Sequence, residues 1–138
     1  MIGGAHLPMV LVTLVVGILA IYHLLMGALA LFAPARAARA IGALYGASLV
    51  DAPQLRYSTS MIGALALAVG GLAAIAAPHP YEHRAIVGAL LLLQLARMFC
   101  RVRDRRLLAE SLGVAPSRNV LMIAVLGLEV AVLALALP

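Results

Sequence analysis

The run PMVLVTLVVGILAIYHLLMGALALF, residues 8–32, contains no formally charged side chain and is rich in valine, leucine and isoleucine. A bilayer core about 30 Å thick is crossed by roughly 20 helical residues, so these 25 residues predict a transmembrane helix. A secretory signal peptide would have a basic segment ahead of a shorter apolar run. Residues 1–7 contain no lysine or arginine, which favours a retained helix over a cleaved signal.

Composition extends this conclusion to the whole chain. Of its 138 residues, 65% are apolar and 11% are charged, and the mean hydropathy is +1.12. A soluble domain needs more polar surface than this, whereas a bilayer solvates apolar side chains directly. The apolar content also excludes a disordered chain, and the presence of one cysteine, Cys100, excludes a disulfide scaffold.

Three further apolar runs predict three more spans. Residues 58–77 are uncharged and end before Pro78, while the third run, 85–96, extends into both interfaces if the flanking arginine side chains snorkel. The fourth run contains one acid, Glu129, and Ser117 is expected to cap its first turn. We therefore predict one all-α membrane domain over residues 1–138, a polytopic four-helix bundle with spans at about 8–33, 57–77, 81–100 and 117–137.

The basic residues predict the orientation of the bundle. All ten are arginine, and nine fall in or beside the two longer connections between spans. Because basic residues near span ends are retained in the cytoplasm, both connections are predicted to be cytoplasmic and both termini external. The arginines expected to anchor that face and to contact anionic lipids are Arg36, Arg39, Arg97, Arg101, Arg103, Arg105 and Arg106. This role accounts for the net charge of +5, so no nucleic-acid partner is expected.

Both connections carry amphipathic segments that predict short interfacial helices. Residues 35–49 can lie on the membrane surface with an apolar side in the lipid, before Asp51 turns the chain towards the second span. In the second connection, Asp104 is expected to cap a helix that stops at Gly113. The pairs Tyr45-Gly46 and Ala52-Pro53 are echoed by Leu112-Gly113 and Ala115-Pro116. Two helical hairpins related by an axis along the membrane normal would produce this echo.

Small residues predict how the spans pack, because helices in lipid associate through close approach of their backbones. In the second span Ala66, Gly70 and Ala74 recur every four residues, with Gly63 and Gly71 nearby. This stripe predicts either packing inside the bundle, which we favour, or a docking face for another subunit.

Polar side chains inside the spans are the candidate functional residues. At ~1.5 Å rise per residue, His23, Gln94 and Glu129 all fall within a few ångströms of the membrane midplane. An ionisable group at that depth usually faces a partner or a cavity. We therefore predict an intramembrane polar cluster of these three residues with Tyr22. It forms either a proton or ligand site, or structural contacts, namely hydrogen bonds between the helices or contacts to the span of another protein.

A loop between the second and third spans holds a weaker candidate site. His79, Glu82 and His83 are residue types that bind zinc or copper. However, Pro80 keeps His79 off a regular helix with His83, and a third ligand requires His6 to fold over from the N-terminal tail. Haem is not expected either, because His6 and His23 are about 25 Å apart along one helix. We expect no metal and no other cofactor.

Three stretches of the sequence carry a family resemblance. They are Leu44-Tyr45-Gly46 with Asp51-Ala52-Pro53, Arg56-Tyr57 with Met61-Ile62-Gly63, and Ser111-Leu112-Gly113-Val114-Ala115-Pro116-Ser117-Arg118-Asn119. In these stretches the chain resembles the BphX-like family of small bacterial four-span proteins, which are associated with operons for the degradation of aromatic compounds. The resemblance covers about half of the chain. It implies a bacterial inner-membrane protein near oxidative hydrocarbon metabolism, and it carries over no catalytic residue.

Three functions are compatible with these features. No P-loop, dinucleotide glycine motif, His-Glu-x-x-His motif or nucleophile elbow occurs in the sequence, so we expect no enzymatic activity. The first function is a non-catalytic accessory subunit that packs against a larger integral-membrane complex, such as a membrane oxygenase or other redox enzyme. The second is a small transporter or hydrophobic-substrate-binding protein that uses the polar cluster. The third, a membrane oxidoreductase in its own right, requires a cofactor.

Overall fold

A computed structural model describes residues 6–49 and 52–137 of the chain. The described residues form six helices and no strand, which confirms the predicted all-α class. The helices are α1 (His6–Phe32), α2 (Pro34–Tyr45), α3 (Pro53–Ala76), α4 (Arg84–Arg103), α5 (Arg105–Leu112) and α6 (Pro116–Ala134). The four long helices α1, α3, α4 and α6 are long and apolar enough to cross a membrane, so this is a multi-pass membrane protein.

Proline residues decide where two of the spans begin. Pro53 and Pro116 each occupy the first turn of a helix, where the missing N–H has no intrahelical partner to lose. As a result α3 starts four residues before the predicted span, and the prediction of Ser117 as an N-cap is wrong because the N-cap of α6 is Ala115. The predictions for Asp51 and for residues 1–5 lie outside the described residues.

Asp104 is at the N-cap position of α5 but makes no capping hydrogen bond there, so the prediction that it caps the helix is wrong. Its carboxylate instead accepts two hydrogen bonds from Arg103, at 2.9 and 2.8 Å. These bonds lower the pKa of the Asp104 carboxyl below its ordinary value.

The two connections between long helices are built in the same way. Each contains a short helix, α2 or α5, that ends at a glycine with φ of +68°, Gly46 in the first and Gly113 in the second. Only glycine adopts this left-handed conformation without a steric cost from Cβ. The connections meet each other, since the N–H of Ser48 donates to the carbonyl of Leu112 at 2.8 Å. They therefore lie at one end of the bundle, called here the arginine-rich end.

Helices α1 and α3 pack with their backbones in close contact through glycines. A Cβ atom added at Gly63 would lie 2.7 Å from the backbone nitrogen of Leu31, and one at Gly70 would lie 2.8 Å from that of Leu24. Gly27 meets α3 in the same way, because its Cβ would lie 2.7 Å from the backbone nitrogen of Leu67. This close approach provides the van der Waals packing that joins helices in lipid.

The other residues of the predicted small-residue stripe are not packed closely against α1. Ala66 is half-buried, Ala74 is exposed, and a Cβ at Gly71 would meet no atom within 4 Å. The buried face of α3 instead continues through Ala73 and Ala76.

The apolar core lies at the end of the bundle away from the arginines. It joins Val12, Val16 and Leu19 of α1 to the C-terminal part of α3, the N-terminal part of α4 and the C-terminal part of α6. Each long helix also exposes apolar side chains, including Ile18 (62% exposed), Leu65 (68%), Leu92 (66%) and Leu128 (66%). Lipid chains solvate such surfaces, and the core leaves the other half of the bundle interior for polar groups.

Candidate functional site: a polar cluster beside a lateral cavity

The polar cluster lies in the half of the bundle nearer to the arginine-rich end and connects four helices. Gln94 of α4 donates from Nε2 to Oε2 of Glu129 on α6 at 2.7 Å. The carbonyl oxygen of the Gln94 amide accepts a hydrogen bond from Arg97 at 2.9 Å. Arg97 also donates to the hydroxyl of Tyr45 on α2 at 2.8 Å, and that hydroxyl is 2.8 Å from the hydroxyl of Tyr22 on α1. One chain of hydrogen bonds thus runs from α6 to α1.

Gln94 acts as a spacer between two opposite charges. The side chain of Gln94 is fully buried. Its amide donates one hydrogen bond to Glu129 and accepts one from Arg97. Within the described part of the chain, Arg97 and Glu129 make no direct ion pair. The second carboxylate oxygen of Glu129 therefore keeps its lone pairs available to another donor.

Arg101 and Asn119 extend the cluster towards the arginine-rich end. The guanidinium of Arg101 lies 4.7 Å from the ring centroid of Tyr45 and donates to the side-chain oxygen of Asn119 at 2.9 Å. The amide nitrogen of Asn119 donates in return to the carbonyl of Arg101 at 3.2 Å. Tyr45 thus contacts Tyr22 of α1 through its hydroxyl and Arg101 of α4 through its ring, so α2 is tied to both of these helices.

The two tyrosine hydroxyls leave one proton for a further partner. Two phenols carry two O–H groups, and their mutual hydrogen bond uses one of them. Arg97 has no acceptor atom, so its bond to Tyr45 uses a lone pair and no phenolic proton. Whichever tyrosine donates to the other, one O–H remains without an acceptor among the described residues.

A cavity of about 200 Å³ opens beside the cluster, between α1 and α6. Its walls are apolar side chains, among them Ile18, Leu19 and Val125, and its polar part is formed by Tyr22, Tyr45, Arg97, Arg101 and Glu129. Ile18 and Val125 are 62% and 42% exposed at the surface of the bundle. The cavity is therefore open sideways, towards lipid, and we call it the lateral cavity.

The predicted cluster of His23, Gln94 and Glu129 is assembled differently in the structure. Gln94 and Glu129 are hydrogen-bonded to each other, but His23 uses its Nδ1 for the carbonyl of Leu19 in its own helix, at 2.7 Å. Arg97, which was not among the predicted members, instead bonds both Gln94 and Tyr45.

Sequence analysis also treated Arg97 and Arg101 as surface anchors, although they belong to the cluster. The spacing of Gln94, Arg97 and Arg101 places the three residues on one face of α4, which is also the face of the buried Leu90. That spacing was the available signal. The other predicted anchors, Arg36, Arg39, Arg103, Arg105 and Arg106, are exposed on the surface.

The loop candidates His79, Glu82 and His83 form a backbone turn. The carbonyl of His79 accepts hydrogen bonds from the N–H groups of Glu82 at 3.0 Å and His83 at 3.3 Å. Among the described residues, no group of three histidine, cysteine or acidic side chains is placed to hold a metal ion. The side chain of His6, the third ligand considered, lies outside the described residues.

Comparison of the chain with protein-family models, with curated proteins and with solved structures found no match.

Proposed function

We propose that this chain is a non-catalytic membrane protein that binds a small amphiphilic molecule in the lateral cavity, as a binding or transport protein. The proposal rests on the placement of Gln94. A purely structural pair of opposite charges in an apolar setting gains most from direct contact. Here the amide of Gln94 separates Arg97 from Glu129, and both charged side chains line the same cavity. The separation leaves a donor and an acceptor available to a ligand.

The cavity limits the size and the polarity of that ligand. An apolar cavity of about 150 Å³ accommodates benzene, so a volume of about 200 Å³ suits a molecule with one ring or a short chain. Its polar group would accept a hydrogen bond from the free phenolic proton or from a guanidinium, and donate one to Glu129. A hydroxyl group does both.

Binding of benzyl alcohol tests this proposal. Toluene has the same ring without the hydroxyl and serves as the matched probe. We expect nanodisc-reconstituted protein to bind benzyl alcohol above the background of empty nanodiscs. With both affinities referred to the concentration of the probe in the lipid, it should bind benzyl alcohol about tenfold more tightly than toluene, because the hydroxyl forms one or two additional hydrogen bonds. Equilibrium dialysis with radiolabelled probes measures both affinities.

Two variants and one matched control decide where the probe binds. Val125→Trp fills the lateral cavity and Glu129→Leu removes the acceptor, so both should lose benzyl alcohol binding. Leu128→Trp places the same bulk on α6 at a side chain that is 66% exposed and does not line the cavity, and it should bind as the unaltered protein does. Equal binding of both probes, or equal effects of the two tryptophans, would contradict the proposal.

A second proposal is the accessory subunit of a larger integral-membrane complex. It is supported by the part of α3 that faces away from α1, where Ala74 is exposed and Gly71 has open space around its Cβ position. Small residues on a lipid-facing surface allow another helix to approach closely. Gentle native extraction followed by mass spectrometry tests it: stoichiometric recovery with a larger membrane protein supports this role, and recovery as a monomer or homo-oligomer rejects it.

A further inference from the structure

A second cavity system lies in the groove between α3 and α4. It consists of two adjacent spaces of about 320 and 340 Å³ that share Val69 and Leu93 in their walls. The space farther from the arginines is lined by apolar side chains alone. From Leu93 to Ala85, this part extends about 12 Å along α4 at 1.5 Å per residue. Its length and uniform apolar character fit one extended hydrocarbon chain.

The other space of this groove contains polar groups. Tyr22, His23 and Arg97 line it together with apolar residues of α1, α3 and α4. Nδ1 of His23 lies 2.7 Å from the carbonyl oxygen of Leu19, and a carbonyl only accepts, so Nδ1 carries the proton. Nε2 of the neutral ring is then an acceptor, and it has no hydrogen-bond partner among the described residues.

Arg97 supplies the complementary donor. Of its five N–H groups, one is used by Gln94 and one by Tyr45, so three remain within the described structure. A cationic donor and a neutral acceptor therefore line the same apolar space. A protonated carboxyl group matches both, because its O–H donates to an imidazole nitrogen while its carbonyl oxygen accepts from a guanidinium.

We propose that the groove between α3 and α4 binds a single-chain fatty acid, with its carboxyl group between His23 and Arg97 and its alkyl chain along Val69, Leu90 and Ile86. A phospholipid fits less well, because its two chains and charged headgroup belong at the membrane surface, whereas His23 is 7% exposed inside the bundle. The groove and the lateral cavity share Tyr22 and Arg97 in their walls. The apolar part of the groove that takes the alkyl chain does not line the lateral cavity, and the proposal does not depend on the function proposed for that cavity.

The test uses dodecanoic acid and methyl dodecanoate, which have the same chain but differ in the acidic proton. The protein is held in amphipol, whose alkyl chains are attached to a polymer, so that no free detergent monomer competes for the groove. Equilibrium dialysis with radiolabelled probes should show the acid bound about tenfold or more tightly than the ester, because the ester cannot donate to His23. Equal affinities would mean that the groove accepts any alkyl chain from its surroundings, and would overturn the proposal.

Two adjacent leucines of α4 provide matched variants. Leu93 lines both spaces of the groove, whereas Leu92 is 66% exposed on the lipid-facing side. Leu93→Trp should weaken dodecanoic acid binding about tenfold or more, while Leu92→Trp should leave it unchanged. His23→Leu should reduce the affinity for the acid to that for the ester. If Leu93→Trp and Leu92→Trp bind alike, the chain does not occupy the groove. The acid–ester comparison needs only the unaltered protein, so it decides the question even where a variant fails to fold.

Discussion

Replacing Gly70 with alanine is expected to destabilise the bundle by about 1–3 kcal/mol, the range found when extra atoms are forced into a packed interior. The new Cβ would lie 2.8 Å from the backbone nitrogen and 2.9 Å from the Cγ atom of Leu24. Backbone atoms cannot move aside as the end of a flexible side chain can, so α1 and α3 must separate. The loss should be visible as a lower unfolding midpoint in micelles, followed by circular dichroism.

The neighbouring glycine provides the control for this experiment. A Cβ at Gly71 would meet nothing within 4 Å, and alanine favours helix over glycine by up to about 1 kcal/mol. Gly71→Ala should therefore leave the stability unchanged or raise it slightly. If the two alanine variants unfold at the same midpoint, the close approach of α1 and α3 does not stabilise the protein as the structure implies.

Replacing Arg97 with methionine should have the largest effect of any change in the polar cluster. It removes the donor to Gln94 and Tyr45 and leaves the carboxylate of Glu129 without a nearby cation. Removing one partner from a buried network of charged side chains lowers the free energy of unfolding by about 3–5 kcal/mol. We expect a large fall in the unfolding midpoint of the purified protein. Arg106→Met removes an exposed arginine and should change stability by about 0.5 kcal/mol or less.

A double variant separates the lost charge balance from the lost packing. If the unpaired carboxylate is the main cost, Glu129→Leu in the Arg97→Met background should recover part of the stability, although Glu129→Leu alone is destabilising. Such non-additivity is the signature of residues that act in one network. Strictly additive losses would show that Arg97 and Glu129 are not energetically coupled, so that the unpaired carboxylate is not the cause of the lost stability.

The four long helices could be predicted from the sequence. The thickness of the bilayer sets the length of the apolar run that crosses it, and the backbone within the bilayer core must be helical to satisfy its hydrogen bonds. The sequence was less informative about where the helices begin. Helices α3 and α6 begin at a proline in their first turn, which lies before the start that hydropathy indicated. Hydropathy contains no information on the backbone geometry that favours proline at a helix start.

The polar cluster could be predicted only in part. Gln94 and Glu129 stand out as polar residues in apolar runs, and the structure joins them. Arg97 did not stand out, because charge counting assigns any arginine near a span end to the surface and cannot tell which face of the helix points inward. His23 was placed in the cluster because depth alone was considered. A ring nitrogen can instead bond the carbonyl four residues earlier in its own helix, as His23 does with Leu19.

The glycine stripe illustrates a related limit. A repeat of four residues predicted Ala66, Gly70 and Ala74 on one face of α3, whereas the buried residues of this helix are Thr59, Gly63, Gly70, Ala73 and Ala76. Two helices that cross at a small left-handed angle keep contact along a repeat nearer 3.5 residues. The crossing angle is set by the partner helix, which the sequence of α3 does not contain.

The lateral cavity and the groove between α3 and α4 each have a strongly exposed, lipid-facing side chain in their walls, Ile18 in the first and Leu65 in the second. A ligand that reaches them from the bilayer first partitions out of water into the membrane, where apolar molecules become concentrated in a thin layer. The occupancy of each cavity is then governed by the partition coefficient of the ligand together with its affinity for the protein. A site of modest intrinsic affinity is enough to remain filled by a dilute compound, and among ligands of equal fit the more lipophilic one occupies it first.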